Sequence, residues 1–351
     1  MPAGEPTADL YAFDEPGLAS WLAARGQPAF RARQVRKWLY EKGARSVDAM
    51  TDLPKALRED LAAHAVVGAQ LVETEQRSAD GTRKRLVRLH DGQLVETVLM
   101  PYDDGRRTAC ISTQAGCAMG CVFCATGQMG FARHLAAHEI FGQAAAWAAE
   151  LAAEGERLSN VVLMGMGEPF HNYDESLAAI RRLMSDLGIG ARHVTVSTVG
   201  LVPQIRRFAQ EGLQVRLAVS LHAATDEQRS ALLPVNKRWP IAEVLAACWD
   251  YAAVTHRRIT FEWALVAGKN DDEGTAHTLG RLLHGLPAHV NLIPLNPTRG
   301  FDGAPTALPA AERFVEVLAG HGVEATVRVR RGIDIDAGCG QLKSTVSRAA
   351  R

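Results

Sequence analysis

The sequence has no uninterrupted apolar run near the roughly 18–20 residues that a membrane-spanning helix needs, so no membrane association is expected. Its N-terminus, Met-Pro-Ala-Gly-Glu-Pro, lacks the basic segment and apolar stretch of a secretory signal, and a cytoplasmic location is expected. Neither sign of charge is in excess: 39 Lys and Arg balance 39 Asp and Glu. That argues against coating nucleic acid by bulk charge and leaves room for local basic patches. With 47% hydrophobic residues, the same balance excludes a disordered chain. Cysteine is also sparse, six in 351 residues, too few for a secreted disulfide scaffold.

The length allows about two domains, at roughly 100–200 residues each. Residues 1–14 show no periodicity and read as a loose lead-in. Residues 15–66 read as a small helical accessory domain, with Val35, Trp38 and Leu39 on one face of its second helix and Arg33, Arg36 and Lys37 on another. That second face is either solvated or contacts phosphates. Residues 67–101 read as a short antiparallel extension, its three strands separated by Asp80-Gly81 and Asp91-Gly92. From 102 to 334 the texture is α/β. Strands at Thr108–Ser112, Asn160–Met164, His193–Ser197, Val215–Ser220, Ile259–Leu265, Val290–Pro294 and Ala325–Val329 alternate with helices at Ala137–Leu151, Tyr173–Leu187, Leu201–Glu211, Ile241–Thr255, Glu273–Leu283 and Ala310–Ala319. This pattern predicts a parallel sheet, doubly wound or curled into a barrel, with ligands bound beyond the carboxyl ends of the strands. Residues 335–351 form a C-terminal tail.

Four of the six cysteines, Cys110, Cys117, Cys121 and Cys124, fall within fifteen residues. Cys117, Cys121 and Cys124 form C-x3-C-x2-C, three soft ligands suited to three corners of a cubane iron–sulfur cluster. No fourth cysteine follows nearby, which leaves one iron for an exogenous chelator. A zinc site from Cys121, Cys124, His134 and His138 competes, though it leaves Cys117 unused and its spacing is short for a zinc finger. An electron-transfer ferredoxin site and simply buried cysteines are further alternatives. Cys248 reads as packing.

The C-x3-C-x2-C run, with Phe123 before its last cysteine, together with Cys124-Ala125-Thr126-Gly127-Gln128-Met129-Gly130-Phe131, resembles the radical S-adenosylmethionine (SAM) enzymes of the RlmN/Cfr family. A distant second motif, Arg331-Gly332-Ile333-Asp334-Ile335-Asp336-Ala337-Gly338-Cys339-Gly340-Gln341-Leu342, resembles the C-terminal cysteine motif of the same RNA adenine methyltransferases, and the resemblance runs from about Phe30 to Leu342. It implies a partial (β/α)6 barrel with the helical N-terminal domain as an RNA-binding accessory. It further implies a [4Fe–4S] cluster on Cys117, Cys121 and Cys124, with SAM chelated to the open iron and cleaved to a 5′-deoxyadenosyl radical. Gly167, Glu168, Ser197, Ser220, Leu221, His222 and Asn296 would line the SAM pocket.

The resemblance also implies two SAM molecules per turnover. One methylates Cys339, and the other generates the radical that activates the S-methyl group for addition to adenine. Cys110 would resolve the protein–RNA adduct through a transient disulfide with Cys339, and Glu96 would accept the proton. This sequence has one residue more between Glu96 and Cys110 than the family pattern. The implied substrates are an adenosine of 23S rRNA at the peptidyl transferase centre and the adenosine 3′ to the tRNA anticodon, methylated at C2. Phosphates would be gripped by the helical segment and by Arg83, Lys84, Arg85 and Arg88. A monomer fed by a flavodoxin or ferredoxin is expected. The alternatives are a C8 methyltransferase of the Cfr branch, which would confer antibiotic resistance, and a non-catalytic iron–sulfur RNA-binding protein.

Overall fold

The computed structural model describes residues 7–343. Residues 1–6 of the expected lead-in and 344–351 of the expected tail lie outside the described residues. Ten strands form one open sheet. Seven of them are parallel: Arg107–Cys110, Asn160–Leu163, Val194–Thr198, Arg216–Ser220, Ile259–Leu265, Ala288–Pro294 and Glu324–Val327. Their order in space follows their order in the chain, so each crossover steps one place the same way. A doubly wound sheet would reverse direction at a switch point. None occurs here, and the winding is that of a barrel left open between two edge strands.

Side-chain pattern explains the elements. In the helix Tyr173–Ser185, the buried residues Tyr173, Ser176, Ala179, Ile180 and Leu183 repeat at helical spacing, and Asp174 and Glu175 occupy the first turn, where acidic side chains favour the helix dipole. The strand Val194–Thr198 alternates buried and half-buried positions, whereas Ile259–Leu265, covered on both faces, is buried at all but one position. Trp147 and Trp263 are among the largest fully buried side chains of the core.

The antiparallel extension is Leu71–Arg77, Arg83–Arg88 and Leu94–Pro101, which joins the same sheet beside Arg107–Cys110. Gly81 and Gly92, both at positive φ, close its turns. Three N-terminal helices, Glu15–Ala23, Phe30–Tyr40 and Lys55–His64, pack on the barrel. Tyr11 and Tyr40 each meet Phe141 edge-on, and the Arg182 guanidinium donates to the Tyr11 carbonyl and the Tyr40 hydroxyl.

Two expectations need correction. Residues 8–14 are not a loose lead-in: Ala8–Asp9 pairs with Ala65–Val66, and Leu10 and Tyr11 are buried. Nor do Arg83, Lys84 and Arg85 face phosphates. All three are buried; Arg83 and Arg85 pair with Glu75 and Glu150, and Lys84 pairs with Glu96. The two arginines satisfy carboxylates from the helix Ala137–Ala153 and from the edge strand, a partnership that one-dimensional charge spacing does not reveal. Arg88 is half-exposed and pairs with Glu73. On the second N-terminal helix, Arg36 pairs with Asp186, while Arg33 and Lys37 are exposed.

Candidate active site

The carboxyl ends of the parallel strands surround a cleft of about 990 Å³, its open mouth included. The loop after Arg107–Cys110 brings Cys117, Cys121 and Cys124 to its wall. Burial raises all three thiols, Cys117 to about 12, and the neighbouring thiolates add to the rise at Cys121. Three soft donors, two buried and one half-buried, that repel one another as anions suit a polynuclear metal group, in which each sulfur binds a different iron. Among the described residues, no three His, Cys, Asp or Glu side chains converge on a single ion. The zinc alternative fails on geometry: His134 lies outside the cleft wall, on the strand Phe131–His134, where its Nδ1 meets the Gln114 amide at 3.0 Å.

Gly167 and Glu168, after Asn160–Leu163, line the same cleft. Gly167 sits at φ +105°, and a Cβ there would lie 2.6 Å from Gln114 Cβ, so only glycine lets these loops approach. The buried Glu168 carboxylate accepts from the amides of Val199 (2.8 Å) and Phe170 (3.0 Å), yet desolvation lifts its pKa to about 7. Ser197, one residue before the end of Val194–Thr198, and Ser220, the last residue of Arg216–Ser220, reach the same wall. His222, at φ +59°, accepts from the Ala264 amide at Nδ1 (2.9 Å), and burial lowers it to about 3, keeping it neutral. Asn296 donates to the Cys339 carbonyl (3.1 Å), while its buried Oδ1 has no hydrogen-bond partner among the described residues. An unpaired acceptor in the wall of a cleft fits a ligand with a donor to offer, such as an ammonium or a nucleoside amine.

Leu221 is not brought to the wall. Its side chain is fully buried in the apolar core, and its carbonyl accepts from Arg229.

Cys339 lines this cleft and also an adjoining one of about 570 Å³ that contains Cys110. Both are free cysteines. Burial pushes Cys110 up to about 12. The two clefts share Met164, Ile293, Asn296 and Cys339. Glu96 lines neither: its buried carboxylate lies 3.0 Å from Lys84 Nζ and accepts from the Lys343 amide at 2.7 Å. Cys248 is fully buried, as packing requires.

Sequence reasoning missed three charged groups. Glu262, on Ile259–Leu265, forms part of the wall; burial raises its carboxyl, and Asn291 donates to it at 2.7 Å. Arg328, just past the last strand, places Nη1 3.5 Å from Cys339 Sγ. Arg229, fully buried, donates to the carbonyls of Val199, Ser220 and Leu221, tying together the loops that follow two strands. A charge inside an apolar strand was a usable signal for Glu262 alone.

Comparison with known proteins agrees with this geometry. Residues 8–67 match the ribosomal RNA large subunit methyltransferase N-terminal domain, and residues 111–279 match the radical SAM superfamily. The chain is 51% identical to a dual-specificity RNA methyltransferase RlmN of Myxococcus xanthus, over 100% of this chain and 98% of that protein. It is 49% identical to the RlmN of Anaeromyxobacter dehalogenans, over 96% and 92%. The crystal structure of a radical SAM methyltransferase from Sphaerobacter thermophilus superposes with a TM-score of 0.93 at 49% identity, covering 97% of this chain and 100% of that one. The chain belongs to the RlmN family of radical SAM methyltransferases, whose cofactors are a [4Fe–4S] cluster and SAM.

Proposed function

We propose that the chain methylates C2 of an adenosine in 23S rRNA and C2 of the adenosine 3′ to the tRNA anticodon, through a methyl group carried on Cys339. The names of its relatives as dual-specificity RNA methyltransferases support the substrate class. The observation that carries the chemistry is the seat of Cys339, shared between the cleft of the three thiols and the cleft of Cys110.

Adenine C2 is electron-poor, so a methyl cation equivalent does not react there and a carbon radical must. Cys117, Cys121 and Cys124 would hold the cluster. Gly167, Glu168, Ser197, Ser220, His222 and Asn296, with the backbone of Leu221, would hold SAM. When bound, these groups supply hydrogen-atom abstraction. Cys339 would take a methyl group from one SAM and, after losing a hydrogen atom to the chemistry of a second, bond to the base. Glu96 would then accept the C2 proton of the adduct. Cys110 would attack the Cys339 sulfur to form a transient disulfide, while the released methylene carbon takes up the Cys110 proton. The one electron left over would return to the electron-transfer partner that supplied it. Burial holds the Glu96 carboxyl above the usual carboxylate range, which favours a proton acceptor.

In this reading residues 15–66 are the RNA-binding accessory domain, 67–101 the extension, 102–334 the radical SAM core and 335–351 the tail. The enzyme is a cytoplasmic monomer reduced by a flavodoxin or ferredoxin. Mass spectrometry of adenosine from treated 23S rRNA and tRNA tests the reading: 2-methyladenosine is expected, whereas 8-methyladenosine or no modification overturns it.

A further inference from the structure

Lys84 and Glu96 lie on neighbouring antiparallel strands. Lys84 pairs in register with Val98, two residues from Glu96, so the two side chains are diagonal neighbours on one face of the sheet. Both are buried, 5% exposed. A lysine so placed is desolvated, and its three donors need partners. One is Glu96 Oε1 at 3.0 Å; another is the Asp336 carbonyl at 3.2 Å. The other carboxylate oxygen, Glu96 Oε2, accepts from the Lys343 amide at 2.7 Å. On the outer side, Lys343 Nζ returns to Asp336 Oδ2 at 3.1 Å. Asp336 itself has positive φ, a backbone conformation that a non-glycine residue holds only where its surroundings enforce it. Lys84, Glu96, Lys343 and Asp336 thus form a closed polar circuit around the two feet of the segment 336–343, at whose centre stands Cys339.

We propose that Lys84 is a positioning residue that fixes both feet of the Cys339 segment and so sets where its sulfur sits between the two clefts. The role of Cys339 as methyl carrier is taken from the function proposed above; the clamp itself is not. Other contacts hold the inside of the segment: Ala125 N–H donates to the Gly340 carbonyl and Thr126 Oγ1 to the Leu342 carbonyl, each at 2.7 Å. These dock it against the cysteine loop, and Lys84 fixes its register. The outer Asp336–Lys343 pair is exposed and contributes little alone. Within the circuit, the buried ammonium is the group with no substitute.

The test uses full-length reconstituted protein carrying Lys84→Met or Lys84→Arg. Hydrogen exchange should quicken by about tenfold or more at the amides of 336–343 in Lys84→Met, the size expected for losing a charge-assisted hydrogen bond. Alkylation of Cys339 by iodoacetamide should quicken alongside, iron content should stay at the wild-type level, and Lys84→Arg should recover most of the protection. With SAM, the maximal rate of Cys339 methylation should fall while the half-saturating SAM concentration is unchanged. Unchanged exchange and alkylation in a soluble Lys84→Met protein would overturn the proposal. Should that variant be insoluble, Lys84→Gln replaces it: a rise confined to 336–343 supports the clamp, and no rise, or one spread across the sheet, overturns it. If wild-type Cys339 is never methylated, the function is at fault; the exchange and alkylation results still decide the clamp.

Discussion

Arg328 Nη1 stands 3.5 Å from Cys339 Sγ, where the half-buried guanidinium donates to the sulfur. Thiolates are the reactive form of cysteine and are stabilised by adjacent cations. Arg328→Met is therefore expected to slow methylation of Cys339 by SAM about 10- to 100-fold, the loss of one charge-assisted contact. Iron content should not change. Quantifying S-methylcysteine against time checks this, and a wild-type rate would contradict it.

Gly167→Ala should destabilise the chain by about 2–4 kcal/mol, from positive-φ strain and overpacking together. The new Cβ would meet Gln114 at 2.6 Å, including backbone N at 2.7 Å, so no flexible side-chain end can yield. A lower denaturation midpoint is the readout; an unchanged midpoint would show that the loops relax.

His222 predicts a pH effect. Folded, it resists protonation down to about 3; unfolded, it titrates near the ordinary imidazole value of 6.5. Its contribution is complete above pH 6.5 and is lost as pH falls through the window toward 3, because the unfolded chain binds the proton first. Two pH units into that window, the loss is about 2–3 kcal/mol. His222→Asn, which tolerates positive φ, should therefore lose less stability than wild type between pH 7.5 and 4.5 in denaturant titrations. Parallel losses would contradict the buried neutral imidazole.

Arg229→Lys should weaken SAM binding by about tenfold or more, since an ammonium cannot satisfy the carbonyls of Val199, Ser220 and Leu221 with one planar fork. Equilibrium binding of SAM to the reconstituted protein measures it. Undiminished affinity would show that the loops hold without this tie.

Much of the architecture was legible in the residues. The alternation after residue 102 located seven parallel strands and six intervening helices; Ile259–Leu265, Ile241–Thr255 and Glu273–Leu283 were located to the residue. Barrel winding left no trace in local periodicity, which carries no strand order in space, and came instead from the motif resemblance, whose partial barrel the structure bears out. The ordered segment around Tyr11 was missed because its partners, Tyr40, Phe141 and Arg182, lie far along the chain. Arg83, Lys84 and Arg85 misled for the same reason: a basic run reads as a phosphate surface until carboxylates from other elements are placed against it. The cysteine cleft was legible because three of its members share one loop. Arg328 was not, because it reaches the site from beyond the last strand, far along the chain from the cysteine loop; Glu262 left a signal, a charge inside an apolar strand, that went unread.

The most direct test follows the sulfur of Cys339. Anaerobically reconstituted protein should be incubated with SAM bearing a trideuterated methyl group, and the peptide spanning 332–343 weighed. The account predicts a deuterated methyl group on Cys339 that is lost from the protein and recovered, less one deuterium, on adenine C2 when rRNA is added, with Cys339→Ala keeping its iron and giving no methylated RNA. Methylated RNA from Cys339→Ala, or a Cys339 that stays unmodified while wild type methylates RNA, would contradict it.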